Sequence, residues 1–170
     1  MDDWIVPATQ EAMHRMDEHA SLVGIANTDE FTFRSMFMAA AKANQGSLAF
    51  YAEWEKFDLL VMDGGKRRLI EFKYYLTRPR VGPDGRPVGW KGGAGPGNER
   101  EFWRCVEKLR SFRHSPVSDR AVILTYEREA PRRSRYSYHA SYGGLCDDER
   151  CCRVIELSSE LLVGRVIRVD

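Results

Sequence analysis

Within the stretch from Lys56 to Leu76, KFDLLVMDGGKRRLIEFKYYL, two apolar runs are interrupted by three charged residues whose types and spacing suit a metal site. Asp58 heads one apolar run, while Glu71 and Lys73 stand at i and i+2 in the next. If both runs are strands, period-two alternation puts Glu71 and Lys73 on one face and turns Ile70 and Phe72 to the other. Two carboxylates and an ammonium then converge near one point. Isolated buried charge is costly, and mutual pairing, hydrogen bonds or a bound cation offset that cost. A divalent ion suits this set, since Mg²⁺ takes hard oxygen ligands and keeps bound waters. The plainer reading makes Asp58 a turn residue and Glu71 with Lys73 a same-face ion pair on a solvated strand, of little energetic worth.

The elements that position these residues are readable. Phe57 to Met62 and Arg67 to Tyr75 form a predicted hairpin closed at Asp63-Gly64-Gly65, where glycine supplies the positive φ of a tight reversal. Ser47 to Trp54 alternates as a preceding strand, with Phe50, Ala52 and Trp54 on one face and Tyr51 and Glu53 on the other. Glu53 and Glu55 read as exposed strand-end glutamates, near enough in sequence to Asp58 to offer a further carboxylate. Before them, Asn27 to Asn44 reads as a largely buried helix, with Thr28 or Asn27 as N-cap and Asp29 and Glu30 in the first turn, where the helix dipole favours negative charge.

The pair Phe57-Asp58 followed by Glu71-Phe72-Lys73 resembles the PD-(D/E)XK nuclease superfamily, the restriction-endonuclease-like fold, with Phe57 in place of the family's proline. The resemblance implies that Asp58 and Glu71 hold Mg²⁺ or Mn²⁺, that the Phe72 backbone carbonyl is a further ligand, and that Lys73 orients or activates the attacking water. Such an ion polarises a phosphodiester oxygen and lowers the pKa of its bound water. In that superfamily a helix before the first strand can add a glutamate to the site, and Glu30 is the candidate here. An i,i+4 pair with Arg34 is the other reading of Glu30.

Further along, Thr77 to Asn98 holds four prolines and seven glycines and reads as a long irregular loop carrying Arg78, Arg80, Arg86, Trp90 and Lys91, a set suited to a nucleic-acid backbone and a stacked base. Its GGAGPG run lacks the Gly-Lys-Ser/Thr ending of a P-loop. Glu99 to Phe112 is an amphipathic helix with Phe102, Cys105, Val106, Leu109 and Phe112 inward and Arg100, Arg104 and Lys108 on a basic stripe, candidate phosphate contacts. Ala121 to Tyr126 reads as a parallel strand. The resulting order, αβββαβ with a mixed central sheet flanked by helices, is that of the superfamily core, and the expected class is α/β.

Residues 1–170 suit a single domain: an N-terminal helical extension over 1–27 that includes a helix from Pro7 to His19, a core over 28–126 with the loop at 77–98, and C-terminal strands and loops over 127–170. In that last part Cys151 to Leu157 and Gly164 to Val169 read as strands, and the basic, aromatic run Glu127 to Tyr142 as a second binding loop or an exposed connection. His139, Cys146, Cys151 and Cys152 match no CxxC spacing, so reduced thiols are expected rather than a zinc site.

The overall charge of +1 conceals an uneven distribution. Met1 to Leu60 has four basic residues against ten acidic, a net of −6, and Lys66 to Arg113 has thirteen against five, a net of +8. A basic middle suits a polyanion held by phosphate contacts. No apolar run approaches the roughly eighteen residues of a membrane span, and the start MDDWIVP has no signal-peptide pattern, so a cytoplasmic protein with no membrane partner is expected. The resemblance favours DNA over RNA and allows a homodimer, in which two sites cut two strands. A nuclease-fold binding or immunity protein without turnover is the alternative.

Overall fold

The computed structural model describes residues 4–113, 116–129 and 136–170. The basic segment 130–135 of the expected second loop lies outside them. The chain begins with α1 (Ile5–Val23) and α2 (Glu30–Asn44), followed by β1 (Ala49–Trp54), β2 (Phe57–Asp63) and β3 (Lys66–Tyr75). A second hairpin, β4 (Thr77–Val81) and β5 (Pro87–Gly92), precedes α3 (Pro96–Ser111) and β6 (Asp119–Glu127). The short α4 (Tyr138–Tyr142), β7 (Arg153–Ser158) and β8 (Leu162–Arg168) complete it.

Six strands form one mixed sheet in the order β1-β2-β3-β6-β8-β7. Among the described residues only β3 and β6 run parallel, from Arg68 beside Asp119 to Tyr75 beside Tyr126. A parallel neighbour needs a long crossover, which β4, β5 and α3 provide. At the β2–β3 reversal Gly64 and Gly65 sit at φ 55° and 86°, the left-handed region that a two-residue turn requires.

Alternation along β3 divides the core. Ile70 and Phe72 pack under α1 and α2 with Met13, Met16, Phe33 and Phe37, while Leu69 packs with Phe102, Val106 and Leu109 of α3. Phe72 meets Phe37 edge-on at 5.3 Å. Glu71 and Lys73 therefore lie on the α3 face, as their spacing predicts. Among the described residues no helix is long and apolar enough to cross a membrane.

Four expectations change. The N-cap of α2 is Asp29, whose carboxylate accepts the Thr32 N–H at 2.7 Å; Thr28 instead closes the preceding 3-10 turn, its hydroxyl donating to Ile25 O at 2.7 Å. The helix is buried on one side, by Phe33, Phe37, Ala40 and Ala41, and Phe31 is 65% exposed, because only one face meets the sheet. Trp54 does not share a face with Phe50. Glu53 takes φ 53°, which rotates the strand end and lays Trp54 against Phe112 at 5.8 Å on the α3 side. Finally, Thr77 to Asn98 is not an irregular loop but the β4–β5 ribbon followed by the first turn of α3. A two-stranded ribbon tolerates Pro79 because each strand keeps an outer edge. Gly92, at φ 79°, closes its base where a Cβ would lie 2.2 Å from Leu76 O.

Candidate active site

β2 and β3 are paired from Leu59 and Ile70 to Asp63 and Lys66. β3 runs on past that register to Tyr75, whereas β2 begins only at Phe57, where the chain arrives from β1 through the left-handed Glu55 and Lys56. Carboxylates take up the edge so exposed. Asp58 Oδ2 accepts the Phe72 N–H at 2.7 Å, and Glu30 Oε2 accepts the Tyr74 N–H at 3.2 Å. Glu71 Oε1 accepts the Asp58 N–H at 3.3 Å, so the two carboxyl groups are neighbours. Within a strand the N–H and C=O of one residue point to the same edge, so the Phe72 carbonyl belongs to the edge whose N–H meets Asp58.

Three cations surround this group. Arg34, 8% exposed, reaches from α2 to donate to Glu53 at 2.5 Å and to the Asp58 carbonyl at 3.2 Å, and lies 3.8 Å from Asp58 Oδ1. Lys108 reaches from α3 to Glu71 at 2.5 Å and to Lys56 O at 2.8 Å, with its ammonium over the Phe57 ring. Lys73 Nζ lies 3.3 Å from Glu101 and 4.0 Å from Glu30.

The site residues expected from the sequence are thus brought together: Asp58, Glu71, Phe72, Lys73 and Glu30 lie along one strand edge. Glu30 faces β3 rather than Arg34, so the helical pair does not form. Lys108, a candidate phosphate contact by sequence, pairs with Glu71 here. Arg78 is tied to the Thr28 carbonyl and pins the ribbon base to the start of α2. Arg80 and Lys91 are exposed on the ribbon, and Arg100 and Arg104 are exposed on α3. Arg34 and Glu101 were not foreseen as site residues. Each lies on a helix far from β3 in sequence, and no local pattern marks it.

Burial pushes Glu30 from an ordinary 4.5 up to about 7, against the pull of Lys73 and with help from Asp58. Burial and then Asp58 also raise Glu71, while Lys108 and Lys73 pull it back. Burial disfavours the Lys73 ammonium, but Glu30, Cys105, Glu101 and Asp58 outweigh it and hold its pKa above the ordinary value. Lys73 is therefore a fixed cation at neutral pH.

No known protein family, curated protein or solved structure matches the chain.

As arranged, with Lys108 on Glu71 and the Phe72 N–H on Asp58, no group of three His, Cys, Asp or Glu side chains among the described residues is set to hold a metal ion. The donor chemistry nonetheless fits Mg²⁺ or Mn²⁺. Two adjacent carboxylates and a strand-edge carbonyl are hard oxygens, and Mg²⁺ draws much of its coordination from water. Occupation would require Lys108 to leave Glu71. The four cysteines are free thiols, Cys105 and Cys151 buried and Cys146 and Cys152 exposed.

The raised Glu30 has a consequence for stability. A carboxyl whose folded pKa exceeds its unfolded one favours folding when protonated, so its contribution is complete below pH 4.5 and lost as pH rises through 7. In EDTA, the urea midpoint of the wild type should fall relative to Glu30→Gln between these values and run parallel to it above. A constant difference from pH 4 to 8 would contradict this assignment.

Proposed function

We propose that the chain is a metal-dependent nuclease of the PD-(D/E)XK, restriction-endonuclease-like type that hydrolyses phosphodiester bonds of nucleic acid, with DNA as substrate. One observation carries the reading: Asp58 and Glu71 are joined through the Asp58 N–H, with Lys73 on the same face as Glu71 and the Phe72 edge turned to Asp58. The order α2, β1, β2, β3, α3, β6 supports it.

Asp58, Glu71 and the Phe72 carbonyl would hold the ion, which when bound supplies Lewis-acid polarisation of the phosphodiester and an acidified water. Arg34 holds the Asp58 main chain in place. Lys73, kept charged by Glu30 and Glu101, presents a positive charge to the attacking water and to the phosphate oxygens that gain negative charge. Glu30 exchanges a proton near neutral pH, as acid–base work requires. Arg100 and Arg104 on α3 would contact flanking phosphates, and a homodimer would place two such sites on two strands.

The Lys108–Glu71 pair favours one other reading, a nuclease-fold binding or immunity protein in which an ammonium has permanently replaced the metal. Incubation with supercoiled plasmid, single-stranded DNA and RNA in Mg²⁺, Mn²⁺ or EDTA separates the two. Metal-dependent cutting, strongest on DNA, is the expected result. Inactivity on every substrate, together with no heat of Mg²⁺ or Mn²⁺ binding, would overturn it in favour of the binding reading.

A further inference from the structure

The β4–β5 ribbon leaves β3 immediately after Tyr75, with only Leu76 between them, and belongs to a sheet of its own. Its base is fixed at several points. The Thr77 N–H donates to Glu127 at 3.0 Å, Arg78 bonds Thr28 O, and Asn98 donates to Gly93 O at 2.9 Å. Its tip is closed by the Gly82 N–H to Arg86 O at 2.8 Å and the Gly85 N–H to Gly82 O at 3.0 Å. The ribbon is a built arm.

Its two faces differ. Arg78 pairs with Lys91, Pro79 with Trp90 and Arg80 with Gly89. Directly opposed residues share a face, so Arg78, Arg80 and Lys91 lie on one side with only Gly89 opposite Arg80, and Pro79 and Trp90 lie on the other. The Pro79–Trp90 side overlooks a hollow lined by Ile25 and Leu161 of the body. On the basic side, Arg78 and Lys91 share a hollow with Tyr74 and Glu101, and Glu101 is the partner of Lys73. Arg80 and Lys91 are exposed there, and Arg86 stands at the tip.

We propose that the β4–β5 ribbon enters the major groove of duplex DNA and touches base edges with Arg80 and Lys91. The inference rests on the nuclease reading for its placement of the cut strand. The B-form major groove, about 12 Å wide, admits a two-stranded ribbon, whereas that of A-form RNA is too deep and narrow for side chains to read. Arginine and lysine donate to guanine O6 and N7, acceptors that only this groove displays. Seven residue steps separate Lys73 from Arg80 and extend at most about 24 Å at roughly 3.4 Å each, so the Arg80 backbone lies within about seven base-pair rises of that of Lys73.

The test is dimethyl sulfate footprinting and anisotropy titration on a 30-base-pair DNA duplex in EDTA, comparing wild type with Arg80→Ala/Lys91→Ala. Circular dichroism checks the fold of the variant. The wild type should protect guanine N7, and the variant should lose that protection and bind at least tenfold more weakly. An RNA duplex of the same sequence should bind more weakly than the DNA. Protection confined to adenine N3 in the minor groove, equal binding by the variant, equal or tighter binding to the RNA duplex, or no DNA binding would each overturn the proposal. Because no cleavage is needed, ribbon-dependent protection by a protein inert on every substrate would defeat the nuclease reading alone. Cleavage that persists unchanged in the variant would defeat the ribbon alone.

Discussion

Replacing Glu71 by Gln should abolish metal-dependent cleavage, by about a thousandfold or more, while leaving the metal-free protein as stable as the wild type or more so. Glu71 is 2% exposed, and burial raises its pKa, so its carboxylate is held in the fold at a cost that Lys108 only partly offsets. The neutral amide removes that cost. Lys108, whose side chain is 36% exposed, regains water when its partner is lost. In the proposed site, loss of one charged ligand of two would also cost the ion and the acidified water it supplies. The two effects have opposite signs, as expected where function and stability compete at one residue. Thermal scans check this directly. At a concentration ten times its dissociation constant, Mg²⁺ should stabilise the wild type by about 1.4 kcal/mol and the variant not at all. If Glu71 were only half of a structural ion pair, Glu71→Gln would lower the melting temperature in EDTA, and Mg²⁺ would shift neither protein.

Lys73→Met should lower the cleavage rate by about a hundred- to a thousandfold, the usual effect of losing one electrostatic donor at a developing charge. Metal binding should survive or tighten. The methionine keeps the aliphatic volume of the lysine stem against α3 but leaves Glu30 and Glu101 without their shared cation, so the local field becomes more negative. Lys73 is held above its ordinary pKa and stays charged through neutrality, so it should not appear as a titrating base in the pH–rate profile. Lys73→Arg should restore part of the rate, because the charge remains. Calorimetry of Mn²⁺ binding with single-turnover cleavage distinguishes the outcomes. Full activity in Lys73→Met would remove this residue from the chemistry, and loss of Mn²⁺ binding would make its role structural.

Much of this site could be read along the chain, and what escaped follows a physical pattern. Asp58, Glu71 and Lys73 stood out because a strand of period two makes any buried charge conspicuous. The same period placed Glu71 and Lys73 opposite Ile70 and Phe72, which is how the core divides them. Glu30 was readable as a first-turn glutamate, but whether it faced Arg34 or β3 depended on how α2 packs on the sheet. The ribbon is hidden from composition, because many prolines and glycines argue against regular structure, while pairing of Arg78 to Lys91 across the turn depends on which residues need a ladder hydrogen bond. Alternation alone puts Trp54 on the wrong face, because a left-handed residue such as Glu53 breaks it without any sequence signal.

The sequence alone therefore determined what local periodicity can encode: the hairpin with its Gly64-Gly65 turn, the amphipathic stripe of α3, the apolar β6, and the charged residues that interrupt β3. Tertiary structure decided which charges meet. Arg34, Glu101 and Lys108 come from helices separated in the chain from Asp58 and Glu71, and they converge only because α2 and α3 pack on opposite faces of one sheet. The raised Glu30 has the same origin, since desolvation and the neighbouring Asp58, which outweigh the opposing pull of Lys73, act through space rather than along the chain.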